Sequence, residues 1–129
     1  MKGNNGCDSI LLVEDEAISQ KIALCMLEAC GCVVDIVGSG EQALRAIANK
    51  KYRIIFMDIG LPDMQGDELT LEIRKSGNSA SIVALTAHND AVIKARCLAC
   101  GMDGFLAKPL TVDEVKKKLI QFEMLKETE

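Results

Sequence analysis

The sequence predicts an α/β domain in which a doubly wound parallel sheet carries helices on both faces. Three observations predict it. Short apolar runs alternate with stretches of helical spacing, five of each along the chain. The strands read as apolar runs rather than alternating ones, which fits burial on both sides. At 129 residues, with 49% hydrophobic and 26% charged side chains, the chain folds as one domain around its own core and requires no disulfide or metal.

The elements follow in order. Ile10-Leu11-Leu12-Val13 is a buried first strand. Ile18, Ile22, Cys25, Met26 and Ala29 fall at i, i+4, i+7, i+8 and i+11, which predicts that this face of the first helix packs on the core. Gly31 ends that helix, since glycine is the usual residue just past a helix C-terminus. Residues 33–37 are a second strand. Ser39 and Gln42 form a capping box that opens a helix through about Asn49. Ile54-Ile55-Phe56-Met57 is the third strand, followed by a loop with Pro62 and Gly66. Asp67 and Glu68 suit the first turn of the next helix, where negative charge meets the positive end of the macrodipole. That helix runs to about Lys75, and Ser76-Gly77-Asn78 breaks it. Residues 82–85 are a fourth strand. Asn89 or Asp90 caps a helix ending near Cys100-Gly101, and residues 104–107 are a short fifth strand. Thr111 and Glu114 form a second capping box. Val112, Val115, Leu119 and Phe122 then recur at i, i+3, i+7 and i+10 on the last helix.

Alternating strands and helices imply right-handed βαβ units. By analogy with flavodoxin-like sheets, five such units take the strand order 2-1-3-4-5. The domain is expected over residues 9–125, between a flexible N-terminal tail (residues 1–8) and a C-terminal tail (residues 126–129).

Composition excludes several functions. Lys and Arg total 15 against 19 Asp and Glu, a net charge of −4, so the basic footprint that nucleic-acid binding needs is missing. One Tyr, three Phe and no Trp make a poor stacking platform for single strands. Apolar runs such as residues 10–13 fall far below the ~18 needed to span a bilayer. The polar start, Met1-Lys2-Gly3-Asn4-Asn5-Gly6, has no apolar segment of a signal peptide. The expected location is therefore cytoplasmic, with no membrane contact by this segment. Of the six cysteines, Cys25, Cys30, Cys32, Cys97 and Cys100 are expected mostly as small buried hydrophobes, and Cys7 has no assigned role. Cys97 and Cys100 form a C-x-x-C, but no second ligand pair accompanies it and His88 is the single histidine. The Lys116-Lys117-Lys118 run is expected as a solvated helix face.

The acids are gathered, not spread. In open α/β sheets ligands bind beyond the carboxyl ends of the strands, at the switch point between strands 1 and 3. Strand 1 runs into Glu14-Asp15-Glu16, and strand 3 into Asp58. Glu14, Asp15 and Asp58 should therefore converge and repel one another unless a cation sits among them. Hard oxygen ligands of this kind suit Mg²⁺. Strand 4 brings Thr86 and Ala87 to the same edge, and strand 5 brings Lys108, whose peptide bond to Pro109 is a candidate for the cis form. Thr86 can donate to a phosphoryl oxygen, Ala87 leaves room for the group, and Lys108 supplies a point charge. A carboxylate nucleophile, a metal, a hydroxyl and an ammonium make a phosphoryl-accepting site that works by positioning and charge neutralisation.

The segments L-L-V-E-D-E, I-I-F-M-D-I-G-L-P-D-M-Q-G, V-A-L-T-A-H and F-L-A-K-P-L occur in register over about residues 9–122. On these the chain resembles the receiver domain of two-component response regulators. The resemblance implies that Asp58 accepts a phosphoryl group from a partner's phosphohistidine. It implies Mg²⁺, or Mn²⁺ in its place, on Glu14, Asp15, Asp58 and the backbone carbonyl of Gly60. It also implies that Thr86 and Phe105 act as a switch that reshapes the face of helix 4, strand 5 and helix 5. Phe105 lacks the hydroxyl some family members carry there. Gly60 and His88 are the positions that would tune phosphoryl lifetime.

The wording M-D-I-G-L-P-D-M and C-L-A-C-G-M-D-G-F-L-A-K-P-L looks most like receivers of hybrid sensor histidine kinases, which pass phosphate to a histidine phosphotransfer protein. The implied partners are therefore a histidine kinase domain, a phosphotransfer protein, or both. The start of helix 1 with Ile18, and Pro109 and Leu110 of the last loop, form the implied docking face. Such a receiver promotes its own phosphorylation and dephosphorylation without being a turnover enzyme. Its parent chain would be a histidine protein kinase, itself membrane-anchored in some cases. Alternatives are a stand-alone response regulator and, in another class, a Mg²⁺-dependent aspartyl-phosphate phosphatase. Against the phosphatase, Gly60 stands where such hydrolases carry a second Asp as acid and base. A mononucleotide binder would want a Gly-rich loop after strand 1 rather than three acids.

Overall fold

The computed structural model describes residues 9–87 and 91–122. Its order is β1 (Ser9–Val13), α1 (Ala17–Ala29), β2 (Val33–Val37), α2 (Gly40–Asn49), β3 (Ile54–Asp58), α3 (Gly66–Lys75), β4 (Ser81–Thr86), α4 (Ala91–Ala99), β5 (Gly104–Ala107) and α5 (Val112–Gln121). All strand pairs are parallel and the sheet order is β2-β1-β3-β4-β5, as the βαβ reasoning requires. The tails, the expected caps Asn89 and Asp90, and His88 lie outside the described residues.

Successive strand residues point to opposite faces, so each strand feeds two cores. Ile10 and Leu12 of β1, Ile54 and Phe56 of β3, and Val83 and Leu85 of β4 pack beneath α1 and α5. Leu11 and Val13, Ile55 and Met57, and Ile82 and Ala84 pack beneath α2, α3 and α4. Burial on both faces explains why the interior positions of these strands are apolar in an unbroken run.

The turn chemistry is largely as expected. Gly31 and Gly77 adopt φ of +83° and +86°, where a side chain would be strained. Ser39 Oγ and Thr111 Oγ1 each accept the backbone N–H three residues on. Gln42, however, reaches back to the Gly38 N–H rather than to Ser39. At the start of α3 the Gln65 N–H donates to Glu68 Oε1 at 3.0 Å and the Glu68 N–H to Asp67 Oδ1 at 3.0 Å, with nothing before the helix to announce it but an ordinary glutamine.

The first helix corrects the periodicity argument. Ala23 and Leu27 are its buried residues, with Met26 packed beside them. Ile18 and Ile22 are 65% and 46% exposed, and Cys25 and Ala29 are exposed too. The predicted stripe is thus largely the outer face. The cysteines divide likewise: Cys32 and Cys97 are buried, Cys30 and Cys100 half-buried, and Cys25 exposed. Burial raises the thiol pKa of Cys97 and Cys100, which leaves them poor nucleophiles.

Candidate functional site

The site is assembled at the carboxyl ends of β1, β3, β4 and β5. Glu14 continues β1, its N–H donating to the Val37 carbonyl at 3.0 Å. Its side chain is only 1% exposed. There Oε2 accepts the Glu16 N–H at 3.2 Å and Oε1 accepts Lys108 Nζ at 2.9 Å. Asp58 ends β3. Its Oδ1 accepts the Gly60 N–H at 3.0 Å, and its Oδ2 lies 3.4 Å from Lys108 Nζ. Asp15 is exposed beside them. Glu14, Asp15 and Asp58 each offer a carboxylate oxygen, and these oxygens lie within 4.8 Å of one another.

Lys108 reaches this cluster from the end of β5. The Lys108–Pro109 peptide is cis, and the Lys108 N–H donates to the Thr86 carbonyl at 2.8 Å, which joins the ends of β4 and β5. Thr86 is 2% exposed and Ala87, next to it, is exposed. The electrostatics follow from the crowding. Burial raises the Glu14 carboxyl above its usual range; the bond from Lys108 lowers it, and Asp58 beside it raises it again. Burial acts to lower the Lys108 ammonium, but its bonds and charge pairing with Glu14 and Asp58 outweigh that and raise it. Lys108 therefore stays charged. Three carboxylates still face one ammonium, and the hard oxygen set fits a small divalent cation.

The structure brings Glu14, Asp15, Asp58, Thr86 and Lys108 to one edge, with Gly60 against Asp58. Phe105 lies on β5, half-buried against the second core, with Lys94 Nζ of α4 5.9 Å from its ring centroid. Ile18 is exposed, outside a groove of about 340 Å³ that runs along the site. Ser19, Ile22, Ala23, Pro109 and Leu110 line this groove, next to Glu14 and Lys108. Two contributors were missed by reading motifs alone. Glu16 caps α1, its Oε1 accepting from Ser19 N and Ser19 Oγ at 3.0 and 2.6 Å; the E-x-x-S spacing at a helix start could have shown this. Gln20 donates its side-chain amide to the Glu14 carbonyl at 2.6 Å, and no sequence pattern announces it.

Comparison with known proteins agrees with this geometry. The family profile of the response regulator receiver domain matches residues 10–120. A probable histidine kinase 1 of Oryza sativa subsp. indica is 32% identical over 88% of this chain, which spans 15% of that protein. The crystal structure of the receiver domain of sensor histidine kinase PA1611 from Pseudomonas aeruginosa, with a magnesium ion coordinated in the active site cleft, is 36% identical. It covers 92% of this chain and 98% of its own, with a TM-score of 0.83. The receiver domain of Ssk1 from Saccharomyces cerevisiae, crystallised with the histidine phosphotransfer protein Ypd1, is 26% identical with a TM-score of 0.85, covering 98% of both chains.

Proposed function

The chain belongs to the response regulator receiver domain family, and from that premise we propose that it accepts a phosphoryl group from a phosphohistidine onto Asp58 and relays it. The observation that carries this is the meeting of Glu14, Asp15 and Asp58 within 4.8 Å at the sheet's switch point, with Lys108 across from them.

Glu14, Asp15, Asp58 and the Gly60 carbonyl would hold Mg²⁺, or Mn²⁺ in its place. The bound cation neutralises charge that gathers on the phosphoryl oxygens. The chain does the rest. The Gly60 N–H holds Asp58 Oδ1 and so orients the carboxylate toward the incoming phosphorus. The carboxylate oxygen forms the new bond to phosphorus as the bond to the histidine nitrogen breaks. Lys108 leaves its carboxylate partners to pair with a phosphoryl oxygen, and Thr86 donates its hydroxyl to another. Ala87 and Gly60 leave space around the group. Movement of Thr86 toward the phosphate opens room for Phe105 to turn inward, which alters the face made by α4, β5 and α5.

Several relatives are histidine kinases and another is a receiver that pairs with a histidine phosphotransfer protein, so we assign this receiver to a hybrid sensor histidine kinase, exchanging phosphate with such a phosphotransfer protein. That partner would dock across α1 and the β5–α5 loop, on Ile18, Ile22, Pro109 and Leu110, whose apolar surface borders the site. The domain would work in the cytoplasm; no described helix is long and apolar enough to cross a membrane.

The test is direct. The protein is incubated with Mg²⁺ and a small phosphodonor, and its intact mass is measured. One base-labile, acid-stable phosphoryl adduct is expected, absent in Asp58→Asn. No adduct with any donor overturns the proposal, and continuous phosphate release at enzymatic rates points to a phosphatase instead.

A further inference from the structure

We propose that Gln20 is a positioning residue for the metal site: it fixes the peptide unit between Glu14 and Asp15 and so aims the Asp15 carboxylate. The inference rests on Glu14, Asp15 and Asp58 being metal ligands. Two of these carboxylates are oriented by side-chain contacts. Asp58 is held by the Gly60 N–H, and Glu14 by Lys108 and the Glu16 N–H. The Asp15 side chain is exposed, so the Cα–Cβ direction that the backbone sets decides which positions its carboxylate can reach. That backbone is residues 14–16, the short link between β1 and α1.

Gln20 Nε2 donates to the Glu14 carbonyl oxygen at 2.6 Å, a short bond from one turn inside α1. The peptide unit is planar, so holding its oxygen also orients the N–Cα bond of Asp15. On the other side of Asp15, Glu16 is fixed by its cap on Ser19. The ligand-bearing link is thus pinned to the first turns of α1 on both sides of Asp15. Ser19 acts through the Glu16 carboxylate and Gln20 through the Glu14 carbonyl, not through the three ligand carboxylates. Groups that orient metal ligands from behind influence metal affinity strongly. Gln20 acts one step further out, through backbone, so its effect should be smaller.

The experiment compares wild type, Asp15→Asn and Gln20→Met, which keeps the length of the side chain and removes the donor. Mg²⁺ affinity is measured by calorimetry, and the phosphorylation rate from a small phosphodonor is followed as Mg²⁺ is raised. In Gln20→Met, Mg²⁺ should bind about 3- to 10-fold more weakly, the size expected for one lost hydrogen bond. The rate at saturating Mg²⁺ should return to within about twofold of wild type, because only ligand positioning is lost. Unchanged Mg²⁺ affinity overturns the inference, as does a rate that saturating Mg²⁺ does not restore. If wild type binds no Mg²⁺, or Asp15→Asn binds it as tightly as wild type, the metal-site reading fails and the inference falls with it. A second measurement needs no variant. The side-chain amide protons of Gln20 in the wild-type protein should exchange with solvent more slowly than those of an exposed glutamine. Exchange at the rate of an exposed glutamine overturns the inference.

Discussion

Tyr52 is the single tyrosine of the chain, and its hydroxyl donates to Asp35 Oδ2 at 2.7 Å. Lys50 Nζ reaches the same oxygen at 2.8 Å and lies 5.5 Å from the tyrosine ring centroid. The bonds from Lys50 and Tyr52 hold the Asp35 carboxyl below its usual range. Burial, then the hydrogen bond and charge of Asp35, push the Tyr52 phenol up to about 12. An acid whose folded pKa is raised keeps its proton where the unfolded chain has released it. The contact therefore contributes stability that is intact below pH 10, the ordinary tyrosine value, and is lost as pH rises from there toward about 12. Phenolate absorbance reports this residue alone, so its titration midpoint should lie near 12. In Asp35→Asn the midpoint should fall only part of the way back to 10, because burial remains. An Asp35→Asn midpoint equal to that of wild type would show that the Tyr52–Asp35 bond does not form, and an ordinary midpoint in the folded wild type would show that burial does not act on the phenol either.

At the scale of elements, α3 begins where a side chain has no room. A Cβ on Gly66 would stand 2.8 Å from Ile59 Cα and 3.1 Å from Ile59 Cβ, so the loop after β3 would have to shift. Gly66→Ala should destabilise the fold by about 1–3 kcal/mol, the usual cost of overpacking. Equilibrium denaturation should show a lower midpoint with an unchanged slope. The central strands were the most legible elements in the sequence, because burial on both faces leaves an apolar run and no choice of face. Helix α1 was legible as a helix but not in its orientation. It carries Ala23 and Leu27 on one side and Ile18, Ile22 and Cys25 on another, so periodicity selects no unique inner stripe. Contacts distant in sequence left no local trace at all. Asp63 accepts the N–H groups of Gly40 and Glu41 at 2.8 and 3.0 Å, tying the β3–α3 loop to the start of α2 from 22 or more positions away. An aspartate after Pro62 resembles any turn residue until the fold brings α2 beside it.

The site was legible at the scale of the whole molecule because topology does the gathering. Once the strand order is given, the residues at four strand ends must meet, and Glu14, Asp15, Asp58, Thr86 and Lys108 do. The supporting bonds of Glu16 and Gln20 were not legible, since they act on backbone atoms that carry no residue-specific signal. The same gathering has a thermodynamic consequence. Asp15 adds an exposed negative charge to Glu14 and Asp58, and Lys108 offsets only part of the total, through contacts of 2.9 Å to Glu14 and 3.4 Å to Asp58. Removing a charge of either sign should then move stability in opposite directions. Asp15→Asn should melt at or above the wild-type temperature without metal, because a repulsion is relieved. Lys108→Met should melt lower, by about 1–3 kcal/mol of stability, because buried Glu14 loses its charged partner. Mg²⁺ should reverse part of this order. At a hundredfold excess over its Kd a ligand adds about 2.7 kcal/mol to the folded state, so wild type should gain several degrees on addition of Mg²⁺. Lys108→Met should keep that gain, since it retains all three carboxylates, and Asp15→Asn should lose most of it. Thermal melts of the three proteins with Mg²⁺ and with a chelator give the comparison. A metal-free Asp15→Asn that melts below wild type would mean that the carboxylates do not repel one another, and an equal Mg²⁺ gain in all three would place the cation elsewhere.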